Sequence, residues 1–334
     1  MRALIVASLL SVPLTAGPVS DALFAQDGDA YRVTTRLVLV DAQVLDKKTH
    51  VPVNSLKKDD LEVYEDGVQQ QISSFSQDEL PLSVVLLFDL TDSVRPVLKP
   101  LAEGAQRALE HLKPEDEVAV MVYAATAYMV QDFTTDRGEA AAAIARASRM
   151  ESAEAAFFNE AIFKAAEHLS TRPNARRVII WLTDDVPNIP SLEIRDRYAR
   201  SLGDYEPHSE KEAFHELFQT GTLVCTLLKR SEISEQESAR RDQATVIGRM
   251  LYPPGSVDRY TRMTGGRVVE SSGRRLHQQL ADLIDEIRLR YNLGYRPSSR
   301  KPAGKYCAIK VKLAPELKQA QRNLVVEAKS GYYR

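Results

Sequence analysis

Two short acidic steps carry the side chains that could do chemistry in this 334-residue sequence. The first is Asp89-Leu90-Thr91-Asp92-Ser93, directly after the apolar run SVVLLFD (83–89). The second is Thr183-Asp184-Asp185, at the end of VIIWLTD (178–184). Asp89, Thr91 and Ser93 are alternate residues, and in a turn leaving a strand alternate side chains can converge on one point. One carboxylate and two hydroxyls are hard oxygen donors of the kind that suit Mg2+ or Mn2+. Asp184 could join them directly or through water, since Mg2+ commonly keeps several waters. The competing reading is that Asp89, Thr91 and Ser93 cap the following helix and satisfy backbone donors.

A continuous apolar run ending in an acid is how a strand buried on both faces reads in a parallel sheet. Residues 83–89 and 178–184 have that form, and TLVCTLL (222–228) is a third buried strand. EVAVMVYAATA from Glu117 reads as another strand, and Gly265-Gly266-Arg267 as a turn into a short one. Between them, 98–112, 136–147, 159–169 and the leucine and isoleucine stripe of 276–287 read as helices. This alternation predicts an α/β fold, a doubly wound and mostly parallel sheet with helices on both faces. Ligands of such sheets bind outside the carboxyl ends of the strands, where both acidic steps fall.

The flanks read differently. YRVTTRLVLVDAQVLD (31–46) and LEVYEDGVQQQISSFS (61–76) are β-rich, and Glu65-Asp66-Gly67 is a hairpin signal. KYCAIKVKLA (305–314) and NLVVEAKSGYY (323–333) are β-rich again. The expected organisation is a targeting segment at 1–25, a β-rich segment at 26–80, the α/β domain at 81–296 and a β-rich segment at 297–334. The two β-rich ends either pack together with the α/β domain inserted between them, or pack on it separately. Arg2 followed by the apolar run ALIVASLLSVPLTA (3–16) is too short to span a bilayer and reads as a signal peptide ending near Ala22 or Ala25. That predicts export, to a periplasm, cell surface or exterior, with no transmembrane segment after signal removal.

The D-x-[ST]-x-S step after a buried strand, with a later L-T-D step, resembles the metal-ion-dependent adhesion site of von Willebrand factor A (VWA) domains. The LKKDDLEVYEDGVQQQISSFSQDELPLSVVLLFD block, the TGGR step, YNLGYRP and a terminal SGYY make nearly the whole mature chain similar to the VWA-related proteins abundant in Acidobacteria. The resemblance implies a central, mostly parallel sheet wrapped by helices. It also implies a metal held by Asp89, Thr91, Ser93 and Asp184, and a partner carboxylate that completes its coordination. This sequence departs from the family pattern at three points. Asp92 and Asp185 stand where glycines are usual. Ala156 stands where a threonine usually supplies a ligand, and Ser152 is the nearest upstream hydroxyl, reachable only by a shifted loop. Added acids favour a cation, whereas a methyl in place of a hydroxyl removes a ligand.

Other chemistries find little support. The net charge of -2 gives no global pull toward nucleic acid or anionic lipid. No phosphate-binding loop, nucleophile elbow, HExxH or CxxC motif is present. No general base stands out near the acids, so no enzyme is expected. His208 and His215 read as helix-surface residues sooner than as a metal site with Glu212. Trp181 reads as core, and Phe157 and Phe158 as core or as an apolar wall beside the metal loop. Cys225 and Cys307 either pair or, the favoured reading, remain separate buried thiols. The long polar connection after Asp184 is a candidate for partner contacts. The expected function is thus an exported module binding a protein or surface polymer, the partner offering an acidic residue. A metal-free scaffold subunit of an envelope complex with a vestigial site is the alternative.

Overall fold

The structure is a computed structural model that describes residues 37–77, 80–124, 126–151, 156–185, 207–229, 257–271, 275–298 and 301–334. The expected signal segment at 1–25, Ser152 and most of the connection after Asp185 lie outside the described residues. The strands are β1 (Val38–Asp46), β2 (Leu61–Glu65), β3 (Val68–Gln70), β4 (Ile72–Gln77), β5 (Leu82–Asp89), β6 (Glu117–Tyr123) and β7 (Ala127–Thr134). They continue with β8 (Arg176–Thr183), β9 (Leu223–Lys229), β10 (Val268–Ser271), β11 (Tyr291–Tyr295), β12 (Tyr306–Leu313), β13 (Leu324–Ala328) and β14 (Gly331–Tyr333). The helices are α1 (Arg95–Leu109), α2 (Arg137–Ala147), α3 (Phe158–Ser170), α4 (Glu210–Thr220), α5 (Val257–Thr264), α6 (Leu276–Arg288) and α7 (Pro315–Ala320).

The central sheet has the order β10-β9-β8-β5-β6-β7, parallel except for β7. Every residue of β5 is buried, as its unbroken apolar run requires. Alternation sends Val84, Leu86 and Phe88 into a core with α1, α2 and α6. Val85 and Leu87 enter a second core beneath α3, α4 and α5. Besides the short α7 of the flanks, two elements of the α/β unit were not foreseen. Strand β7 carries polar and half-buried residues at the sheet edge, so its alternation is weak. Helix α5 is short and polar, and buries only Val257, Tyr260, Thr261 and Thr264.

The two β-rich ends interleave. One sheet has the order β13-β1-β11-β4 and the other β14-β12-β2-β3, both antiparallel. They share a core that joins Val40, Val44 and Val63 to Tyr291, Leu293 and Val311. Strand β11 belongs to this sandwich, so the inserted α/β unit ends at α6, before residue 291, and the boundary expected at 296 is too late. Its sequence, YNLGY, alternates side chains between that core and the outer face, and pairs with β1 and β4. The sandwich meets the central sheet at the amino ends of its strands. Arg176, at the start of β8, pairs with Asp41 at 2.8 Å, and its guanidinium reaches the carbonyl of Ile287 at 2.6 Å. Gly265, at φ +79, lies so close to Ala328 that a side chain would strike its backbone, and Gly266 has no room for one against the Val224 carbonyl.

Candidate functional site at the carboxyl ends of the central strands

Parallel register lines up the strand ends. Asp89 of β5 pairs with Tyr123 of β6, and Phe88 pairs with Leu182 of β8. Side chains of Asp89, Tyr123, Trp181 and Thr183 therefore share one face of the sheet. They form a chain of hydrogen bonds. The Trp181 indole donates to the Tyr123 hydroxyl at 2.9 Å, and that hydroxyl donates to Asp89 Oδ2 at 2.9 Å. The Thr183 hydroxyl donates to the same oxygen at 3.2 Å, and the Thr91 amide donates to Oδ1 at 2.9 Å. Asp89 is fully buried. Burial pushes its carboxyl up to about 6, the hydrogen bonds from Thr91 and Tyr123 work against that rise, and the nearby Asp184 charge adds to it.

Thr91 is buried beside Asp89, with its hydroxyl 3.2 Å from that of Ser93. Neighbouring oxygens around an octahedral Mg2+ stand about 2.9 Å apart, so the hydroxyl pair suits one ion. Asp184, 7% exposed, follows Thr183 at the end of the neighbouring strand. The other side of the site argues against an ion. Both Asp89 oxygens already accept hydrogen bonds. Ala156 is buried in the second core, its methyl packed where the resemblance calls for a hydroxyl. Lys229, the last residue of β9, donates from Nζ to the Ser93 carbonyl, so a cationic side chain already lies against the first acidic loop. Among the described residues the donor set is incomplete for the ion that the resemblance implies.

The two extra acids separate. Asp92 is exposed at the tip of the turn. Asp185 adopts φ +59, the left-handed region that a glycine enters without strain and that aspartate tolerates better than most residues. Its Oδ1 accepts the amide of Val257 at 3.0 Å, which caps the start of α5. A glycine would meet this backbone demand without strain, and Asp185 is engaged in a structural cap.

The remaining residues singled out in the sequence fall in place around this centre. Phe158 packs edge-on against Trp181, with ring centroids 5.0 Å apart, and both are core. Phe157 is half-buried at the start of α3. His208 and His215 do not come together. The first bonds through Nδ1 to the buried Glu160 at 2.6 Å and stacks on Phe163, and the second reaches Gln219 at 2.9 Å. Glu212 closes the capping box of α4 with Ser209. Cys225 lies in the central sheet and Cys307 in the sandwich, both as buried free thiols in separate cores. Sequence reasoning missed Tyr123 and Lys229, and gave Thr183 no role of its own. The signal was available in strand parity, because the terminal residues of β6, β8 and β9 flank Asp89 and Asp184 in any parallel sheet with this order.

Residues 84–186 match the model of the von Willebrand factor type A domain, a span that holds both acidic steps. No curated protein matches the chain. Among solved structures, the chain is similar to a von Willebrand factor type A protein from Catenulispora acidiphila at 10% identity. That match covers 78% of this chain and 72% of the other, with a TM-score of 0.44. It is also similar to an aerotolerance-related membrane protein from Bacteroides fragilis, at 12% identity over 61% of this chain and 99% of that one, with a TM-score of 0.38. The vWF domain of a type V pilus tip protein from Porphyromonas gingivalis matches at 11% identity over 62% and 95%, with a TM-score of 0.40. The six-stranded, mostly parallel sheet with a helical layer on each face has the fold of a von Willebrand factor A domain, and residues 84–186 within it match that domain's model.

Proposed function

We propose that the chain is an exported binding module, without catalytic activity, that engages a protein or surface polymer through the carboxyl-end face of its VWA domain. One observation carries the reading. Asp89, Thr91, Ser93 and Asp184 gather at the strand ends, at the opposite end of the sheet from the sandwich. Among the described residues the cluster holds carboxyls and hydroxyls, and the amine beside it, Lys229, is engaged by the Ser93 carbonyl rather than placed to activate a nucleophile. A ligand that brings an acidic residue suits such a face when a cation is present to receive it. The apolar run at 3–16 supports export, and no helix among the described residues is long and apolar enough to cross a membrane. Nothing in the charge balance favours nucleic acid.

Site-specific photocrosslinking in the producing cell tests this. A crosslinker at exposed Asp92 is expected to trap one recurrent partner. A crosslinker at exposed Glu115, on the turn at the opposite end of the sheet, is expected to trap none of it. Equal trapping from both positions, or from neither, overturns the reading.

A further inference from the structure

We propose that Lys229 is the resident cation of this face, taking the place of the divalent ion and presenting its ammonium to a carboxylate of the partner. The proposal rests on the reading of the carboxyl-end face as a binding face, and it specifies what that face recognises.

Register brings the lysine there. Thr183 of β8 pairs with Leu228 of β9, so Asp184 and Lys229 leave adjacent strand ends side by side. Asp89 stands one strand further, beside Thr183. Three neighbouring strands thus end in an acid, an acid and a lysine. The lysine does not reach away into solvent. It is half-buried and folds back so that Nζ donates to the backbone carbonyl of Ser93. That carbonyl belongs to the loop whose hydroxyls would otherwise coordinate the ion.

Three independent features agree with a lysine in the ion's role. Position 156 offers a buried methyl and no oxygen. Asp89 uses both oxygens on neutral donors within the protein. A divalent ion bound by Thr91 and Ser93 would sit close to the ammonium and be repelled by it. An ammonium has three donors, and one hydrogen bond to Ser93 leaves capacity for an oxygen anion arriving from outside. A partner carboxylate fits that demand, and needs no metal to bridge it to Asp89 or Asp184.

Calorimetric titration of the full chain with Mn2+ tests the assignment, using wild type, Lys229→Met and Lys229→Arg. Lys229→Met keeps the stem and removes the charge. It is expected to bind Mn2+ at least tenfold more tightly than wild type, while Lys229→Arg stays as weak as wild type. Adding Ala156→Thr to Lys229→Met is expected to tighten binding again, and adding it to wild type is expected to do little. Wild type binding Mn2+ as tightly as Lys229→Met overturns the proposal. Circular dichroism confirms folding, and Lys229→Gln replaces Lys229→Met if the methionine variant fails to fold. A second arm uses a decaglutamate peptide in the presence of EDTA. Binding by wild type that is lost in Lys229→Met supports the carboxylate assignment, and peptide binding that EDTA abolishes overturns it. If the peptide binds neither protein, acidic-ligand recognition by this face fails, while the Mn2+ comparison still decides whether Lys229 occupies the ion's place.

Discussion

Carboxylates are buried at both ends of the central sheet, and the two ends compensate them differently. At the amino end, Asp41 takes Arg176 at 2.8 Å and is also bonded by Arg290, and Asp116 is paired with Arg288. Burial alone would raise the Asp41 carboxyl, yet Arg176 and Arg290 together hold it below the ordinary carboxylate range. At the carboxyl end, Asp89 is more deeply buried than Asp41, and its hydrogen bonds come from an amide, a phenol and a threonine hydroxyl. No guanidinium balances it, and its carboxyl is pushed up to about 6. The amino end is a finished structural joint between sheet and sandwich. The carboxyl end offsets the Asp89 charge with neutral donors, and the ammonium that Lys229 brings to that face is bonded to the Ser93 carbonyl rather than to the carboxylate.

Removing an arginine from the amino end is expected to give the largest effect. Arg290 is 1% exposed and also bonds Gln43 at 2.9 Å and the Gly265 carbonyl at 2.7 Å. Arg290→Met would leave the Asp41 charge to Arg176 alone and strand two buried acceptors, Gln43 Oε1 and the Gly265 carbonyl. A loss of about 3–5 kcal/mol in urea unfolding is expected, as for other broken buried pairs. A loss below about 1 kcal/mol would mean that water reaches this joint, and would end the contrast with the other face.

Asp89→Asn is expected to act in the opposite direction. The folded carboxyl titrates near 6 and the unfolded one near 3.8, so the folded state binds its proton first. Stability from this group is fully present below the unfolded value and is lost as pH rises through 6. Wild type should therefore gain stability relative to Asp89→Asn as pH falls from 8 to 4, by about 3 kcal/mol at most. At pH 8 the asparagine variant should be the more stable of the two. Parallel pH dependence of the two proteins would show that Asp89 is ionised and well compensated when folded. Tyr123→Phe should have a smaller effect. It removes one donor to Asp89 and leaves the Trp181 indole unsatisfied, so about 1–3 kcal/mol of destabilisation is expected. It should also move the pH midpoint of that stability difference further upward.

Much of this architecture can be read from residue order. Apolar runs ending in Asp89 and Asp184 point to buried parallel strands, because they are short, rich in β-branched residues and bounded by turn signals. The acids that follow such strands fall at the ligand-binding edge. Three kinds of information are not local. Partners across the sheet, such as Tyr123 and Lys229, depend on strand order, which a run of residues does not encode. The boundary at β11 was obscured because YNLGY is short and follows α6 with little to mark a change of domain. The burial of Asp89 against neutral donors depends on side chains 34 and 94 residues away. Asp185 is a further case, since an acid beside an acid looks like a ligand until its backbone angle is known.

The smallest expected effect separates those two roles of Asp185. Its φ of +59 strains a side chain, and its Oδ1 caps α5 through Val257. Asp185→Gly relieves the backbone by about 1 kcal/mol and loses a cap of similar worth, so stability should change little. Asp185→Ala keeps the strain, loses the cap and gives up aspartate's tolerance of this conformation, for a loss of about 1–2 kcal/mol. Neither change should alter Mn2+ binding in the Lys229→Met background, because Asp185 Oδ1 is engaged by the Val257 amide at the start of α5. If Asp185→Gly instead weakened Mn2+ binding there by tenfold, Asp185 would belong to the charged face, and the division between finished joint and charged face would have to be drawn one residue further along the chain.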